Sequence, residues 1–229
     1  MSVPVQRLSC ADAREAEDLS AFLARLLRYD RAAAVRLQAG GPDGALPQLA
    51  VFGRPPSFEV LAIRAARLAE PARLDVTVSA GELLEAIQGA DFTVPGPVTG
   101  PPWAGVLPPR GGWRDLAGLP GADRMREAVA AAVAEFRARD EALPEERRTR
   151  AERDRVGREI WSRTLGDTPL PLRAVHAAQS LGFLRPGVPA ALLASGSWLR
   201  LRTPFGSVAL RTGGLGPLSV TPTRPPHQH

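Results

Sequence analysis

The chain of 229 residues has no lysine and no asparagine, one cysteine, three histidines, and isoleucine only at Ile63, Ile87 and Ile160. All 29 basic residues are therefore arginine. Lysine, asparagine and isoleucine share AT-rich codons, so this bias reads as a GC-rich bacterial genome and not as a selected arginine surface. With no lysine titrating near pH 10, a modest positive excess carries the isoelectric point to about 10.9.

Each absence removes a class of chemistry. Walker-type phosphate loops, kinase ATP lysines, Schiff-base enzymes and pyridoxal enzymes all need a lysine. His227 and His229 stand in a proline-rich tail, so a Ser/His/Asp triad would have to use His176. Cys10, standing alone, excludes intramolecular disulfides, thiolate zinc sites and CxxC redox chemistry. Neither a metal nor a cofactor is expected. The opening Met-Ser-Val-Pro-Val-Gln-Arg lacks the apolar run of roughly 7 to 15 residues of a signal peptide. No stretch approaches the roughly 18 apolar residues of a membrane span. The expectation is a cytoplasmic protein with no membrane association.

What remains is enough for a core, since 44% of residues are apolar and spread along the chain. Leu19, Phe22, Leu23, Leu26 and Leu27 recur at helical spacing after Ser9, a candidate cap. Strands are expected over 33–38, 48–53, 58–67 and 74–79, the first two joined by a turn at 40–44. In the last, Leu74, Val76 and Val78 alternate with Asp75 and Thr77. Ser79 and Glu82 then form a capping box ahead of Leu83, Leu84 and Ile87. Connections this short rule out parallel crossovers, so the fold class is α+β, a mainly antiparallel sheet covered by helices.

Residues 95–121 hold seven prolines and seven glycines. That composition forbids regular structure, but Trp103 and Trp113 argue for an arm docked on the fold rather than a free linker. Further helices are expected from Met125 to about Leu143, from Pro144, and over Pro169–Leu181, with Gly182 as a stop. A hairpin pairs 198–203 with 207–211. The chain thus divides into a helix/four-strand/helix unit (1–92), a connecting arm (93–121), a helical segment ending in the hairpin (122–212) and a disordered tail (213–229). Val35-Arg36-Leu37 and Leu199-Arg200-Leu201 resemble one another, too briefly to establish a repeat.

Charge is unevenly distributed. Residues 1–92 carry 10 arginines and 12 acids, residues 93–167 carry 13 and 12, and residues 168–229 carry 6 arginines and no acid. On the hairpin, the two-residue period puts Trp198, Arg200 and Arg202 on one face, and Arg211 joins them from the partner strand. An indole among guanidinium groups suits an acidic protein partner, or stacked bases and phosphates of single-stranded nucleic acid. The arginine-dense stretch 145–163 is self-neutralising instead, with Glu146/Arg150, Asp154/Arg158 and Glu159/Arg163 at i, i+4.

Other candidates are weaker. His176 lacks an identifiable partner and reads as a structural histidine. Glu82 and Glu85 share a helix face but favour the helix dipole. Gly111-Gly112 and Gly213-Gly214 are possible anion nests without a nucleotide fingerprint around them. Ser195-Gly196-Ser197 lacks the first glycine of a nucleophile elbow and reads as a turn. The expectation is a non-enzymatic binding or adaptor module whose Trp198, Arg200, Arg202 and Arg211 recognise an acidic protein partner. Single-stranded nucleic-acid binding and an enzyme working through Asp/Glu and Arg are the alternatives.

Overall fold

A computed structural model describes residues 6–40 and 47–212. The expected disordered tail, Gly213-Gly214 and most of the 40–44 turn lie outside the described residues. Within them the fold is α+β, with five helices and eleven strands in antiparallel sheets.

The N-terminal part comprises β1 (Arg7–Ser9), α1 (Ala13–Tyr29), β2 (Ala34–Ala39), β3 (Gln48–Gly53), β4 (Leu61–Arg67), β5 (Leu74–Ser79), α2 (Ala80–Ala86), β6 (Ile87–Gln88) and β7 (Asp91–Thr93). The remainder comprises β8 (Arg114–Leu116), α3 (Ala122–Glu141), α4 (Arg150–Trp161), α5 (Leu172–Ser180), β9 (Ala191–Ser195), β10 (Trp198–Thr203) and β11 (Gly206–Arg211). One eight-stranded sheet, in the order β5-β2-β3-β4-β11-β10-β9-β8, runs through both parts, and a small sheet β1-β7-β6 sits beside it.

The seam of the large sheet is the antiparallel pairing of β4 with β11, Ile63 opposite Ser207, Ala62 opposite Val208 and Leu61 opposite Ala209. On either side the chain follows one plan: a helix, then a three-stranded meander whose last strand reaches the seam. α1 lies over β4 and α5 over β11, and Phe22 of α1 stacks on Phe183, just after α5, at 5.6 Å between centroids. The order of elements gives the sheet an approximate two-fold pattern. The resemblance between Val35-Arg36-Leu37 and Leu199-Arg200-Leu201 does not follow it, because β2 opens its meander and β10 is the middle strand of its own.

One face carries the helices and the main core. Val35, Leu37, Leu49, Val51, Leu199, Leu201 and Val208 point into it and meet Leu19, Phe22, Leu23 and Leu26 of α1, all buried. Burial of each such side chain contributes about 1.5–3 kcal/mol before its entropy cost. Among these apolar residues sits Arg64, 5% exposed. Its Nη1 donates to the Phe205 carbonyl (2.8 Å), and its Nη2 reaches Glu15 (3.3 Å) and Asp18 (3.5 Å) of α1. Arg185 completes the group, pairing with Asp18 and lying over the Phe205 ring at 3.6 Å. These contacts tie α1 and β4 to the β10–β11 turn across the seam.

Several expected boundaries move for local reasons. Ser9 belongs to β1, and the α1 cap is Asp12, whose side chain accepts from the Glu15 N–H. The strand expected over 58–67 starts at Leu61, because Ser57 and Glu59 adopt positive φ (70° and 53°) that no strand tolerates. That bend drives Phe58 into the core beside Tyr29 and His176. Pro144 opens only a short 3-10 turn, and α4 starts at Arg150, capped by Thr149, whose hydroxyl accepts from the Glu152 N–H. α5 begins at Leu172, since Pro171 bridges to Thr164.

Gly206, in the hairpin turn, is packed so tightly that a Cβ there would lie 2.5 Å from the buried Phe183 ring. Gly206→Ala should therefore lower stability by about 2 kcal/mol or more in urea unfolding. Arg64→Ala should cost about 2 kcal/mol in the same assay, because it leaves the Phe205 carbonyl without its donor and a void in the core, while Arg67 and Arg185 still hold Glu15 and Asp18.

Candidate binding face

Among the described residues no α-helix packs on the second face of the sheet. Alternation along β2, β3, β4, β11 and β10 directs Arg36, Phe52, Ile63, Ala209 and Arg200 to this side. At its centre Phe52, Leu61, Ile63 and Ala209 form a buried apolar patch separate from the main core.

The arm covers that patch. It crosses the face, since it bonds to β5 at one edge of the sheet and enters β8 at the opposite edge. Val98 donates to the Thr77 carbonyl of β5 (2.9 Å). Pro102–Gly105 forms one 3-10 turn that seats Trp103 on the patch, and Leu107 follows it. Arg36 donates to the Ala104 carbonyl while holding Asp75 in a bidentate pair (2.8 and 2.9 Å). That pairing pulls the Asp75 carboxyl below its usual range. Beyond Leu107, Ser195 of β9 donates its hydroxyl to the Gly111 carbonyl (3.3 Å). Proline prevents most ladder bonds here, so side chains hold the arm down. The arm does contain regular structure, contrary to expectation: β8 pairs with β9 as the last strand.

The four residues singled out on the hairpin do share this face. Trp198 is directly opposite Arg211, whose guanidinium lies 5.7 Å from the indole centroid. Arg200 is two residues along, opposite Ala209, and donates from Nε to the Ser207 hydroxyl (2.9 Å). Arg202 and Arg211 are exposed, whereas Trp198 and Arg200 are half-buried. Trp113 accounts for part of that cover, its ring 5.7 Å from the Arg200 guanidinium. Burial, with Arg202 alongside, pulls Arg200 below the ordinary arginine value. Among the described residues none of these three arginines has a carboxylate within ion-pair distance. Asp115 shares their face but lies two strands from Arg200, opposite Leu193.

Arginine elsewhere is engaged only in part: exposed residues such as Arg7, Arg14, Arg28, Arg31, Arg54 and Arg124 have no carboxylate within ion-pair distance among the described residues, but others are paired. Arg173 pairs with Glu59 and Arg185 with Asp18. On α3 and α4, Arg139 and Arg163 share Glu135 and Glu159, Arg153 meets Asp140, and Arg155 meets Glu152. Of the three pairs expected from spacing, Glu159/Arg163 forms at 3.4 Å, while Asp154 turns to Arg150 at 3.8 Å. Glu146 falls in the 3-10 turn, outside the helical register that would bring it to Arg150. The helical hairpin is thus neutralised by pairs within each helix and also by pairs across the two, and single-helix spacing does not reveal the second kind.

His176 stacks on Trp161 (centroids 4.5 Å apart, 22°) and meets Phe58 edge-on (5.1 Å). Ser79 accepts from the Glu82 N–H, so that part of the expected capping box is present. Cys10 is buried, and burial, reinforced by Glu15 and Asp12, pushes its thiol up to about 11. Sequence reasoning missed Arg64, Trp113 as cover for Arg200, and the strands β1, β6, β7, β8 and β9. Only the Ala191–Ala194 apolar run hinted at any of them.

Residues 3–105 match the model of a domain of unknown function, DUF8010, and residues 108–215 match that of a second, DUF8185. The matches divide within the arm. Each therefore takes in one helix-and-meander unit, and all four hairpin residues fall in the second. No curated protein matches the chain. Among the described residues no helix is long and apolar enough to cross a membrane.

Burial between aromatic rings lowers the His176 pKa from 6.5, so the native state holds this proton less tightly than the unfolded chain. Its contribution to stability is present above pH 6.5 and is lost as pH falls below it. His176→Phe should therefore flatten the stability profile between pH 5 and 7, as read by thermal melting across that range.

Proposed function

We propose that this chain is an intracellular bacterial binding module, without catalytic activity of its own, that recognises an acidic protein partner through Trp198, Arg200, Arg202 and Arg211. The observation that carries this reading is the pair Arg202 and Arg211, two exposed guanidinium groups on a sheet surface with no described carboxylate to satisfy them. The sheet holds their backbones at fixed spacing, so a partner's carboxylates meet a preorganised array. Arginine forks bind carboxylates bidentately, which adds orientation to charge.

Two features favour a protein over single-stranded nucleic acid. Base stacking needs an open indole face, and Trp198 is half-buried with Arg211 beside its ring. The arm also crosses the sheet where a strand of bases would run. The enzymatic alternative wants a carboxylate with a raised pKa in a deep site. The carboxyls that are clearly displaced, Asp75, Glu135, Glu152 and Glu159, are all pulled down by arginine partners. Two shallow clefts, of about 430 Å³ beside Trp103 and about 540 Å³ beside β1, contain none of the four face residues.

The test is fluorescence anisotropy of a fluorescein-labelled decaglutamate peptide with the full chain. Wild type should bind, and Arg202→Glu with Arg211→Glu should weaken binding at least about tenfold with an unchanged melting temperature. Absence of peptide binding, or tighter and steeply salt-dependent binding of an oligothymidylate, overturns the reading.

A further inference from the structure

Arg200 is the one face residue that is half-buried yet has no described carboxylate partner. Its Nε is used by Ser207, while its charge is set against the Trp113 ring. Shielding a cation from water without an anion is costly, and an aromatic ring offsets only part of that cost. A carboxylate in the position of the ring would form charge-assisted bonds and be the stronger partner. The ring therefore occupies the place that a ligand carboxylate would take.

The segment carrying that ring is a short closed turn. Trp113 Nε1 donates to the Pro109 carbonyl (2.9 Å), closing a compact turn over residues 109–113. Gly111 and Gly112 within it are both exposed, Gly112 at φ +74° and against Ser195, whose Oγ would lie 3.4 Å from a Cβ there. A Cβ on Gly111 would touch nothing within 4 Å, so the turn is not packed in from that side. The Ser195 hydroxyl bond to Gly111 tethers the turn to β9. Leu107 anchors the arm before it and β8 anchors the chain after it, which leaves the two glycines as a hinge between fixed ends.

We infer that the 109–113 turn is an internal gate on the basic face, in which Trp113 covers Arg200 until a carboxylate of an acidic protein partner displaces it. The inference rests on the binding reading above and adds its regulation. Because opening the turn costs free energy, the apparent affinity is the intrinsic affinity multiplied by the fraction of molecules that are open. A partner must offer one carboxylate to reach Arg200 and others for Arg202 and Arg211, which stand two register positions away on either side of it. The burial that lowers the Arg200 pKa is consistent with a cation held under cover.

The decaglutamate anisotropy assay on the full chain tests this. Trp113→Ala should bind about fivefold tighter than wild type, and Ser195→Ala about twofold tighter, whereas Trp113→Phe, which keeps a ring but loses the Pro109 bond, should fall between wild type and Trp113→Ala. Adding Arg200→Gln to Trp113→Ala should abolish the gain, which mere loosening of the arm would leave in place. Should Trp113→Ala melt well below wild type, Ser195→Ala alone and with Arg200→Gln decides. Unchanged or weaker binding by a folded open variant overturns the gate. If wild type binds, and Arg202→Glu with Arg211→Glu destroys that binding, such a result leaves the binding reading standing. No binding by any variant removes both.

Discussion

The pairing of β4 with β11 is the constraint on which the remaining architecture depends. Ala62, Val208 and Ala209 are fully buried there, so two meanders distant in the sequence become one continuous sheet. Arg64 reinforces the seam from within by holding Phe205 on one side and the α1 carboxylates on the other. A buried guanidinium is stabilising only when its partners are in place, so this cluster makes the docking of the two halves specific as well as favourable. With the seam closed, the basic strands of the hairpin share a face with the apolar residues of β3 and β4.

That face explains the arm. An uncovered patch of Phe52, Leu61 and Ile63 in mid-sheet would be an apolar liability. A chain that travels from one sheet edge to the other can cover it in passing. The composition of the arm suits such a crossing, since prolines keep it extended, Trp103 and Leu107 supply the apolar cover, and glycines permit the close approach and sharp turn near Ser195. The same crossing leaves Arg202 and Arg211 open and sets Trp113 against Arg200, so coverage of the core and access to the basic residues come from one segment.

The charge pattern shows why residue counts mislead. By number the arginine-rich stretch is 145–163, yet ion pairs within and between α3 and α4 use most of its charge. The segment after residue 168 has fewer arginines, but two of these, Arg173 and Arg185, meet acids from the N-terminal half. What remains unpaired on the hairpin is a smaller set than the net charge of that segment suggests, and it is gathered on one surface.

The amino-acid sequence by itself determined the local elements whose signal is periodic. β3 and β5 occupy the expected spans, the hairpin strands lie where alternation of Leu199, Leu201, Val208 and Leu210 puts them, and the apolar stripe of α1 faces the core, because side-chain period and burial are local consequences of backbone geometry. It also put Trp198, Arg200, Arg202 and Arg211 on one face. Only the tertiary structure decided that this hairpin joins the N-terminal sheet, that β8 closes its far edge, and that Trp113 lies over Arg200. Those outcomes depend on which distant surfaces exclude water together, and neither periodicity nor charge count within a segment specifies a partner dozens of residues away.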